Sequence, residues 1–354
     1  MVLGSIYFDY GTRNWDDPAQ RDQLIELSNK HFHFALSKVF ELMSSEDIAA
    51  LQALALLCAF ARQFPKPACA NLIHDLAMSR AVAMGIHRRQ DPPQGHTTNL
   101  QLELRKRVWW AILTLIVSAN GRQGIPIPIG VSDFDQDYPE MIADELLSDE
   151  GVDTSKTLDP PFLVGAYAYR TIALRLEIYN HLNSVRPNPE TYAETVEAFE
   201  AQICRFEEMI PERLRLESSD PHDPKHFAAL YGRIYSLQNR MSLYQPMPGR
   251  TNDRALFAKH MAKVEDVSKE YLEVAKALQR FRALDPTWFS LSFHVSALHI
   301  MLVMAWHRRF EMTTEKVADL RADMDAWISI CKESHTFFCE YPVLNHLRYF
   351  RGIC

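Results

Sequence analysis

Four acidic residues in the first half of the chain have a spacing that resembles the start of a calcium-binding loop. They are Asp133, Asp135, Asp137 and, at the twelfth place, Asp144. A loop of this kind binds Ca²⁺ through carboxylate oxygens and needs glycine at its sixth place, where the chain turns sharply. Tyr138 occupies that place and Pro139 follows it, so the spacing argues against a calcium site. We interpret the aspartates instead as residues that cap a helix and end a loop.

Three consecutive basic residues, Arg105, Lys106 and Arg107, could contact phosphate or serve as a nuclear localisation signal. They lie near the start of a predicted helix, beside Glu103. Mixed charges at such a place are typical of a solvated face or of structural ion pairs. We therefore favour these two interpretations over contact with DNA.

Histidines and cysteines form no strong metal-binding pattern. His222 and His226 are four residues apart, but Asp223 and Pro224 lie between them and indicate the start of a surface helix. The six cysteines, which show no Cys-x2-Cys spacing, are Cys58, Cys69, Cys204, Cys331, Cys339 and Cys354. We predict reduced thiols in an intracellular protein, and neither a metal nor another cofactor in this chain.

The sequence carries none of the common catalytic motifs. The sequence contains no Gly-x-Ser-x-Gly elbow, no His-Glu-x-x-His, no phosphate-binding Gly-x-x-x-x-Gly-Lys loop and no Gly-x-Gly-x-x-Gly. We predict that the chain is not an enzyme. The alternative is a helical enzyme with an unfamiliar site.

Residues 288–306 carry no charge, and their large side chains are Trp288, Phe289, Phe293, Met301, Met304 and Trp306. These side chains could form a core or line a pocket for a small-molecule effector, and we favour the core. The length also suits a membrane span, but the two histidines, three serines and lack of a second span favour a buried helix. We predict that His294 and His299 are core groups with hydrogen-bond partners.

Composition limits the class of protein. The chain has 354 residues, of which 47% are hydrophobic and 23% charged, so it can bury a large core. The net charge of −7 argues against DNA binding by the chain as a whole, because phosphate contacts need a surplus of lysine and arginine. The first residues lack the basic start and apolar run of a signal peptide, so no export is expected.

The predicted fold is all-α, a large irregular multi-helix array with no significant sheet, because proline, glycine and aspartate separate long segments of helical periodicity. The predicted helices cover residues 17–42, 44–64, 67–85 and 99–121, then 161–184, 189–209, 223–244, 252–284, 286–310 and 314–338. Ser44 and Asp47 are predicted to form a capping box, and Gly85 a left-handed C-cap. We divide the chain into a leader (1–16), an N-terminal helical part (17–147), a linker (148–160) and a C-terminal helical part (161–354).

Four segments in a fixed order carry a resemblance to a known family. LQALALLCAFA is followed by AMSRAVAMGIHRR, LELRKRVWWAIL and GRQGIPIPIGVSDFDQDYP. In this order they resemble the fungal-specific transcription factor domain, the middle homology region of zinc-cluster transcription factors, most strongly over residues 45–140. The later segment GRIYSLQNRMSLYQP is similar to another helix of that family, except that Gln245 stands where arginine commonly precedes proline.

The resemblance implies structural or regulatory roles for a set of matching residues. They are Gly85, His87 and Arg88 at a corner, Glu103, Arg105, Arg107 and Trp109 on a helix, and Gly121, Arg122, Asp133, Asp135 and Pro139 around a loop. Arg122 is a candidate for a buried guanidinium that holds carbonyls or a carboxylate at the loop.

The family resemblance also implies a function. Such a domain normally lies C-terminal to a six-cysteine, two-zinc DNA-binding cluster in regulators of metabolic and biosynthetic genes. Zinc is expected only if such a cluster lies upstream in a longer gene, since this chain contains none. The alternative is a protein that acts without DNA contact, through association or a bound small molecule. The expected location is the nucleus with shuttling to the cytoplasm, and the expected partners are other regulators or a second copy, DNA through a zinc cluster, and an effector, but no membrane.

Overall fold

The computed structural model of the chain describes residues 1–13, 17–63, 67–90, 99–156, 158, 163–182, 188, 190–216, 226–245 and 251–335. Within these residues there are twelve α-helices and no sheet, and the pairing of Leu147 with Val152 is an isolated bridge. The predicted all-α fold is therefore confirmed.

The helices are α1 Val2–Arg13, α2 Pro18–Ser37, α3 Val39–Ser44, α4 Ile48–Ala61, α5 Pro67–Ala83, α6 Asn99–Gln123, α7 Leu163–Leu182, α8 Tyr192–Glu208, α9 His226–Tyr244, α10 Arg254–Arg280, α11 Trp288–His307 and α12 Thr314–His335. The helices from α7 onward correspond one to one to the six predicted in the second half, and among the predicted starts that the structure describes, α12 begins at Thr314 as predicted and α10 and α11 begin two residues late. The chain forms two compact units, Met1–Glu177 and Ile178–Cys354, and α7 contains the division.

The sequence did not predict α1, whose residues were assigned to a leader. Two glycines on this helix allow it to lie close along α2. A Cβ atom at Gly4 would lie 3.2 Å from the Cβ of His31, and one at Gly11 would lie 3.2 Å from the Cβ of Leu24. The buried Ser28 hydroxyl donates to the Gly4 carbonyl at 2.7 Å.

Helix starts follow the predicted caps in part. The Asp17 carboxylate accepts from the amides of Ala19 and Gln20, with Pro18 in the first turn of α2 as predicted. The predicted helix to residue 42 is interrupted at Lys38, after which α3 begins. The capping box at Ser44 was wrong, because Asp47 alone caps α4 and the Ser44 hydroxyl donates to the Glu41 carbonyl.

The core of the first unit is built around α4, which packs against α5 and α6. Leu51, Leu54, Leu57 and Phe60 are almost completely buried, as the uniformly apolar sequence of this helix predicted. The buried face of α6 adds Trp109 and Trp110.

In the second unit, α11 packs against α10 and α12. It is the one described helix long and apolar enough to cross a membrane, and half of its most apolar stretch is buried inside the protein. Phe289, Phe293, Met301 and Met304 are buried as predicted, whereas Trp306 is 64% exposed. The described contacts of α11 are those of a core helix.

The prediction for the two histidines of α11 was wrong. His294 is buried between the rings of Tyr271 and Trp327, but neither of its ring nitrogens has a hydrogen-bond partner among the described residues. His299 lies on the exposed side of the helix. Burial of the imidazole lowers the pKa of His294 to about 4.

Several sequence predictions fall outside the described residues. Helix ends were predicted near Pro65, Pro161, Ser184, Pro189 and Phe338, and a surface helix was predicted to begin at Asp223 and Pro224, next to His222. The family position at Pro246 and the thiols of Cys339 and Cys354 also lie outside the described residues. The cysteines that the structure describes, Cys58, Cys69, Cys204 and Cys331, are free thiols.

Candidate functional site

The corner after α5 is formed by a left-handed glycine. Gly85 has a φ of +65°, the conformation that the sequence predicted for this position. Its amide donates to the Val82 carbonyl at 2.9 Å, and the amide of Ile86 donates to the Ala81 carbonyl at 3.1 Å. This pair of bonds closes the helix end and turns the completely buried Ile86 into the core.

A loop of residues 130–147, here called the strap, is bound to this corner. The buried Gln136 amide donates to the carbonyls of Ile86, at 2.9 Å, and Arg88, at 3.1 Å. The Asp135 amide donates to the His87 carbonyl at 3.2 Å, and the Arg89 amide donates back to the Asp135 carboxylate at 2.8 Å. The strap thus satisfies backbone groups that would otherwise be open at the end of α5.

The aspartates of the strap bind protein groups. Asp133 accepts from the Gly130 amide at 2.7 Å and closes the short turn Val131–Asp133. Asp135 lies 3.3 Å from the Arg88 guanidinium, and Asp137 lies 3.4 Å from that of Arg89. The hydrogen bond from the Arg89 amide is the main reason why the pKa of Asp135 is lowered. Asp133 thus closes a turn of the loop as expected, whereas Asp135 and Asp137 bind Arg88 and Arg89 and were wrongly expected to cap a helix.

Glu103 fixes the strap to the first turns of α6. Its buried carboxylate accepts from Arg107 Nε at 3.0 Å and from the amide of Glu140 at 2.9 Å. Arg107 also donates to the Ile142 carbonyl at 3.0 Å and to the Asp144 carboxylate. Burial is the dominant influence on Glu103 and raises the pKa of its carboxyl group, although these partners act in the opposite direction.

The other two basic residues of this run also make intramolecular contacts. Arg105 Nη2 donates to the carbonyls of Gly85, at 3.1 Å, and Met84, at 3.4 Å, and so ties α6 to the end of α5. Lys106 Nζ lies 3.5 Å from Glu103 Oε2. All three basic residues therefore have structural contacts, but only Lys106 and Arg107 form the expected ion pairs, whereas Arg105 binds backbone carbonyls.

Aromatic side chains fill the space between α6 and the strap. Trp110 Nε1 donates to the Asp137 carbonyl at 2.8 Å, and its ring stacks on Tyr138 with centroids 4.3 Å apart. The buried Trp109 ring lies 6.0 Å from His87 and 5.5 Å from Phe134. The indole pair thereby holds the strap over the helix surface.

The structure brings together ten of the twelve candidate residues and leaves two apart. Gly121 is buried and Arg122 half-buried in the last turns of α6, about 27 Å along the helix from Glu103. The helix continues to Gln123 and ends at Gly124, whose φ is +68°, so the predicted end at Gly121 was wrong. Pro139 is buried within the strap.

A cleft of about 330 Å³ lies beside these contacts, between the corner, the start of α6 and the strap. Its charged lining consists of Arg89, Glu103, Arg105, Lys106, Asp137 and Glu140. Its apolar lining consists of Leu102, Ile142, Leu147 and Val152. The described part of the chain contains no group of three or more His, Cys, Asp or Glu side chains suited to a metal ion.

A second charged cluster, in the second unit, was not predicted from the sequence. Arg240 donates to Glu207 at 2.7 Å and to Glu200 at 3.1 Å, while Arg233 donates to Glu207 at 2.9 Å and to Glu270 at 2.7 Å. The contacts join α8, α9 and α10. Burial raises the pKa of the Glu207 carboxyl, but the hydrogen bonds and charges of its partners outweigh this and the net pKa is lowered.

A spacing in the sequence indicates the two helical faces that form this cluster, but not that they pack against each other. Arg233 and Arg240 are seven residues apart on α9, and Glu200 and Glu207 are seven apart on α8, so each pair occupies one helical face. Opposite charges on two such faces are compatible with packing of the helices against each other.

Comparison with known proteins identifies the family of this fold. The model of the family described as "Fungal specific transcription factor domain" matches residues 8–247, more than half of the chain. "Activator of stress genes 1" of Saccharomyces cerevisiae is 23% identical over 234 residues, which are 64% of this chain and 24% of that protein. "Putative transcriptional regulatory protein YJL206C" of the same yeast is 24% identical over 223 residues, 62% of this chain and 29% of that protein. The chain thus spans about a quarter of the length of these relatives, and no solved structure matches it significantly.

Proposed function

The chain belongs to the fungal specific transcription factor domain family, and on that premise we propose that it is the regulatory module of a transcriptional regulator acting in the nucleus. Its relatives are a yeast activator and a protein named as a transcriptional regulator. The observation that carries the proposal is the match over residues 8–247, which contains the corner, the strap and the Glu103 contacts.

The contacts at the strap support a regulatory role and do not favour a catalytic one. The carboxylates and cations there are engaged in ion pairs or backbone hydrogen bonds, in which they hold two helices and a loop in one arrangement. We propose that the strap is the element whose attachment or release changes the activity of the regulator. The named residues of the corner, α6 and the strap have this positioning role.

Contact with DNA is assigned to a different part of the regulator. The net charge of −7 opposes binding of the chain to phosphate, and Arg105, Lys106 and Arg107 donate to protein acceptors or pair with carboxylates. We propose that DNA is reached through a zinc cluster, in another segment or in a partner regulator. The target genes are proposed to belong to a metabolic or biosynthetic set.

Deletion of the gene, followed by measurement of all transcripts, tests the proposal. We expect a defined set of transcripts to change and to be restored by the intact gene and by Glu145→Ala, whose side chain is exposed. Glu103→Ala is expected to restore them incompletely at equal protein abundance, because the strap loses its attachment. An unchanged set of transcripts on deletion contradicts the proposed function.

A second candidate is an interaction or ligand-binding protein that acts without DNA contact, and the cleft beside Arg105 is the observation that favours it. Chromatin occupancy of the tagged full-length protein separates the two. Enrichment at the promoters of the changed genes supports the regulator. Changed transcripts without any enrichment support the second candidate.

A further inference from the structure

The cleft between the corner, α6 and the strap is large enough to hold a small organic molecule. Its volume of about 330 Å³ lies at the lower end of the range of roughly 300–1,000 Å³ for ligand pockets. All of its lining residues belong to the first unit and to the segment matched by the family. Its occupant would therefore touch the same residues that hold the strap.

The acids of the cleft have basic partners. Glu103 is bound by Arg107 at 3.0 Å and lies 3.5 Å from Lys106. Asp137 lies 3.4 Å from the Arg89 guanidinium, and Glu140 lies 3.8 Å from Lys106. Glu103 Oε2 has no hydrogen-bond partner among the described residues, but a cationic ligand would meet the charge of Lys106, whose Nζ lies 3.5 Å from that oxygen.

Arg105 is a cation of the cleft for which the described residues supply no carboxylate. Among those residues, only its Nη2 makes hydrogen bonds, and both go to neutral backbone carbonyls, those of Gly85 and Met84. Its Nε is buried and has no acceptor within the described part of the chain. Burial lowers the pKa of the guanidinium, and no carboxylate of the described residues contributes an opposing effect. The guanidinium therefore has no counter-charge among the described residues, and a carboxylate or another small anion bound in the cleft would supply one.

Seven further described residues line the cleft, of which Gln90, Asn99 and Gln136 are polar and the other four are apolar. Leu102, Ile142 and Leu147 are partly buried, and Val152 is 42% exposed at the edge. An apolar group placed there would cover surface that is now in contact with water, which favours binding in proportion to the area covered. A ligand with one charged end and one hydrophobic end would therefore be complementary to the lining of the cleft.

We propose that this cleft binds a small monocarboxylate with an apolar body, whose carboxylate is held by Arg105 and whose body lies against Leu102, Ile142, Leu147 and Val152. The first turn of α6, through Asn99, adds the positive end of the helix dipole. The inference deepens the proposed function by naming the chemical class of the effector, and it rests on that function only for the consequence of binding. Binding itself can be measured without transcription.

The test uses calorimetry on the purified chain with three probes of the same shape, 3-phenylpropanoate, 3-phenylpropan-1-ol and 3-phenylpropylamine. We expect the acid to bind about tenfold or more tightly than the alcohol, because it gains a charge-assisted pair with Arg105. Equal affinity of acid and alcohol, tighter binding of the amine, or no binding of the acid overturns the proposal. This comparison needs no variant.

Two variants locate the site. Arg105→Gln keeps a donor for the corner carbonyls but removes the charge, and should weaken binding of the acid about tenfold without changing that of the alcohol. Val152→Glu adds a carboxylate to a position at the edge that is 42% exposed and should also weaken binding of the acid, whereas Val131→Glu, at a position that is 37% exposed and outside the cleft, should not. Full binding of the acid to folded Arg105→Gln and Val152→Glu would overturn the proposal. These outcomes are independent of the transcript measurement, so failure of one does not imply failure of the other.

Discussion

Glu103 and Arg107 lie one helical turn apart on α6, with 3.0 Å between Glu103 Oε1 and Arg107 Nε. The same carboxylate oxygen accepts from the amide of Glu140, 37 residues further along the chain. The ion pair of one helix thus also determines where the strap is attached. Loss of this ion pair should therefore destabilise the strap as well as α6.

We expect Glu103→Ala to lower the free energy of unfolding by about 3 kcal/mol, because it leaves the half-buried Arg107 and the Glu140 amide without this acceptor. Urea unfolding measures the change, and hydrogen exchange of residues 130–147 should become faster at the same time. The control is Glu145→Ala at an exposed position, with an expected change within about 0.5 kcal/mol. Unchanged exchange in the strap would contradict the assigned role of Glu103.

Gly85→Ala should destabilise the protein by about 1–2 kcal/mol, because a Cβ disfavours the left-handed conformation at φ +65°. The cause is conformational, since no atom lies within 4 Å of the position of that Cβ. Gly165→Ala in α7 should have the opposite sign and stabilise the helix by up to about 1 kcal/mol. Thermal unfolding of both variants measures whether Gly85→Ala destabilises and Gly165→Ala stabilises the protein. Equal changes in stability would rule out the conformational explanation for Gly85.

Trp110→Phe keeps an aromatic ring against Tyr138 but removes the donor to the Asp137 carbonyl. The expected loss is about 1–3 kcal/mol, since the carbonyl loses a bond and the smaller ring leaves space. Trp306→Phe, at a ring that is 64% exposed, should change stability by less than about 0.5 kcal/mol. Denaturation midpoints of the two variants provide the comparison, and similar losses would argue against the hydrogen bond as the cause.

His294 should make stability depend on pH. Its pKa is about 4 in the folded protein and about 6.5 in the unfolded chain, so the unfolded state takes up protons first as the pH falls. The stabilisation is complete above about pH 6.5 and is lost progressively down to about pH 4. Between pH 7 and pH 5 this residue should account for a loss of about 2 kcal/mol.

His294→Phe, which preserves ring contacts with Tyr271 and Trp327, should lose about 2 kcal/mol less than the wild type over this interval. The control is His299→Phe on the exposed side of the same helix, which should keep the wild-type dependence. Urea unfolding at both pH values is the measurement. Parallel pH profiles for the wild type and His294→Phe would show that the buried imidazole is not responsible.

The features of the fold that the sequence predicted correctly depend on short local patterns. The Asp17 and Pro18 start of α2, the Gly85 corner and the apolar run of α4 each depend on a few adjacent residues, and each was read correctly. The family resemblance gave the order of the corner, residues 103–109 and the acidic loop along the chain, but did not predict that they lie together. Periodicity alone does not say that residues near 86 and 136 are neighbours.

The parts that were missed depend on contacts between distant segments. Gly4 and Gly11 reduce the helical tendency of residues 2–13, but the same glycines allow α1 to approach His31 and Leu24 of α2. The cluster of Arg233, Arg240 and Glu207 requires α8 and α9 to face each other, and a single sequence gives no register between two helices. In both cases tertiary packing overrides local preference.

The strap also sets the order in which the first unit can be completed during synthesis. The carbonyl of Ile86 leaves the ribosome 50 residues before the side-chain amide of Gln136, which donates a hydrogen bond to it. At translation rates of about 5–20 residues per second, this interval lasts roughly 3–10 s, during which water must satisfy the corner. Slow translation between residues 90 and 136 therefore prolongs the time for which the end of α5 lacks its hydrogen-bond partners from the strap. A chaperone can bind the exposed helix end during the same interval.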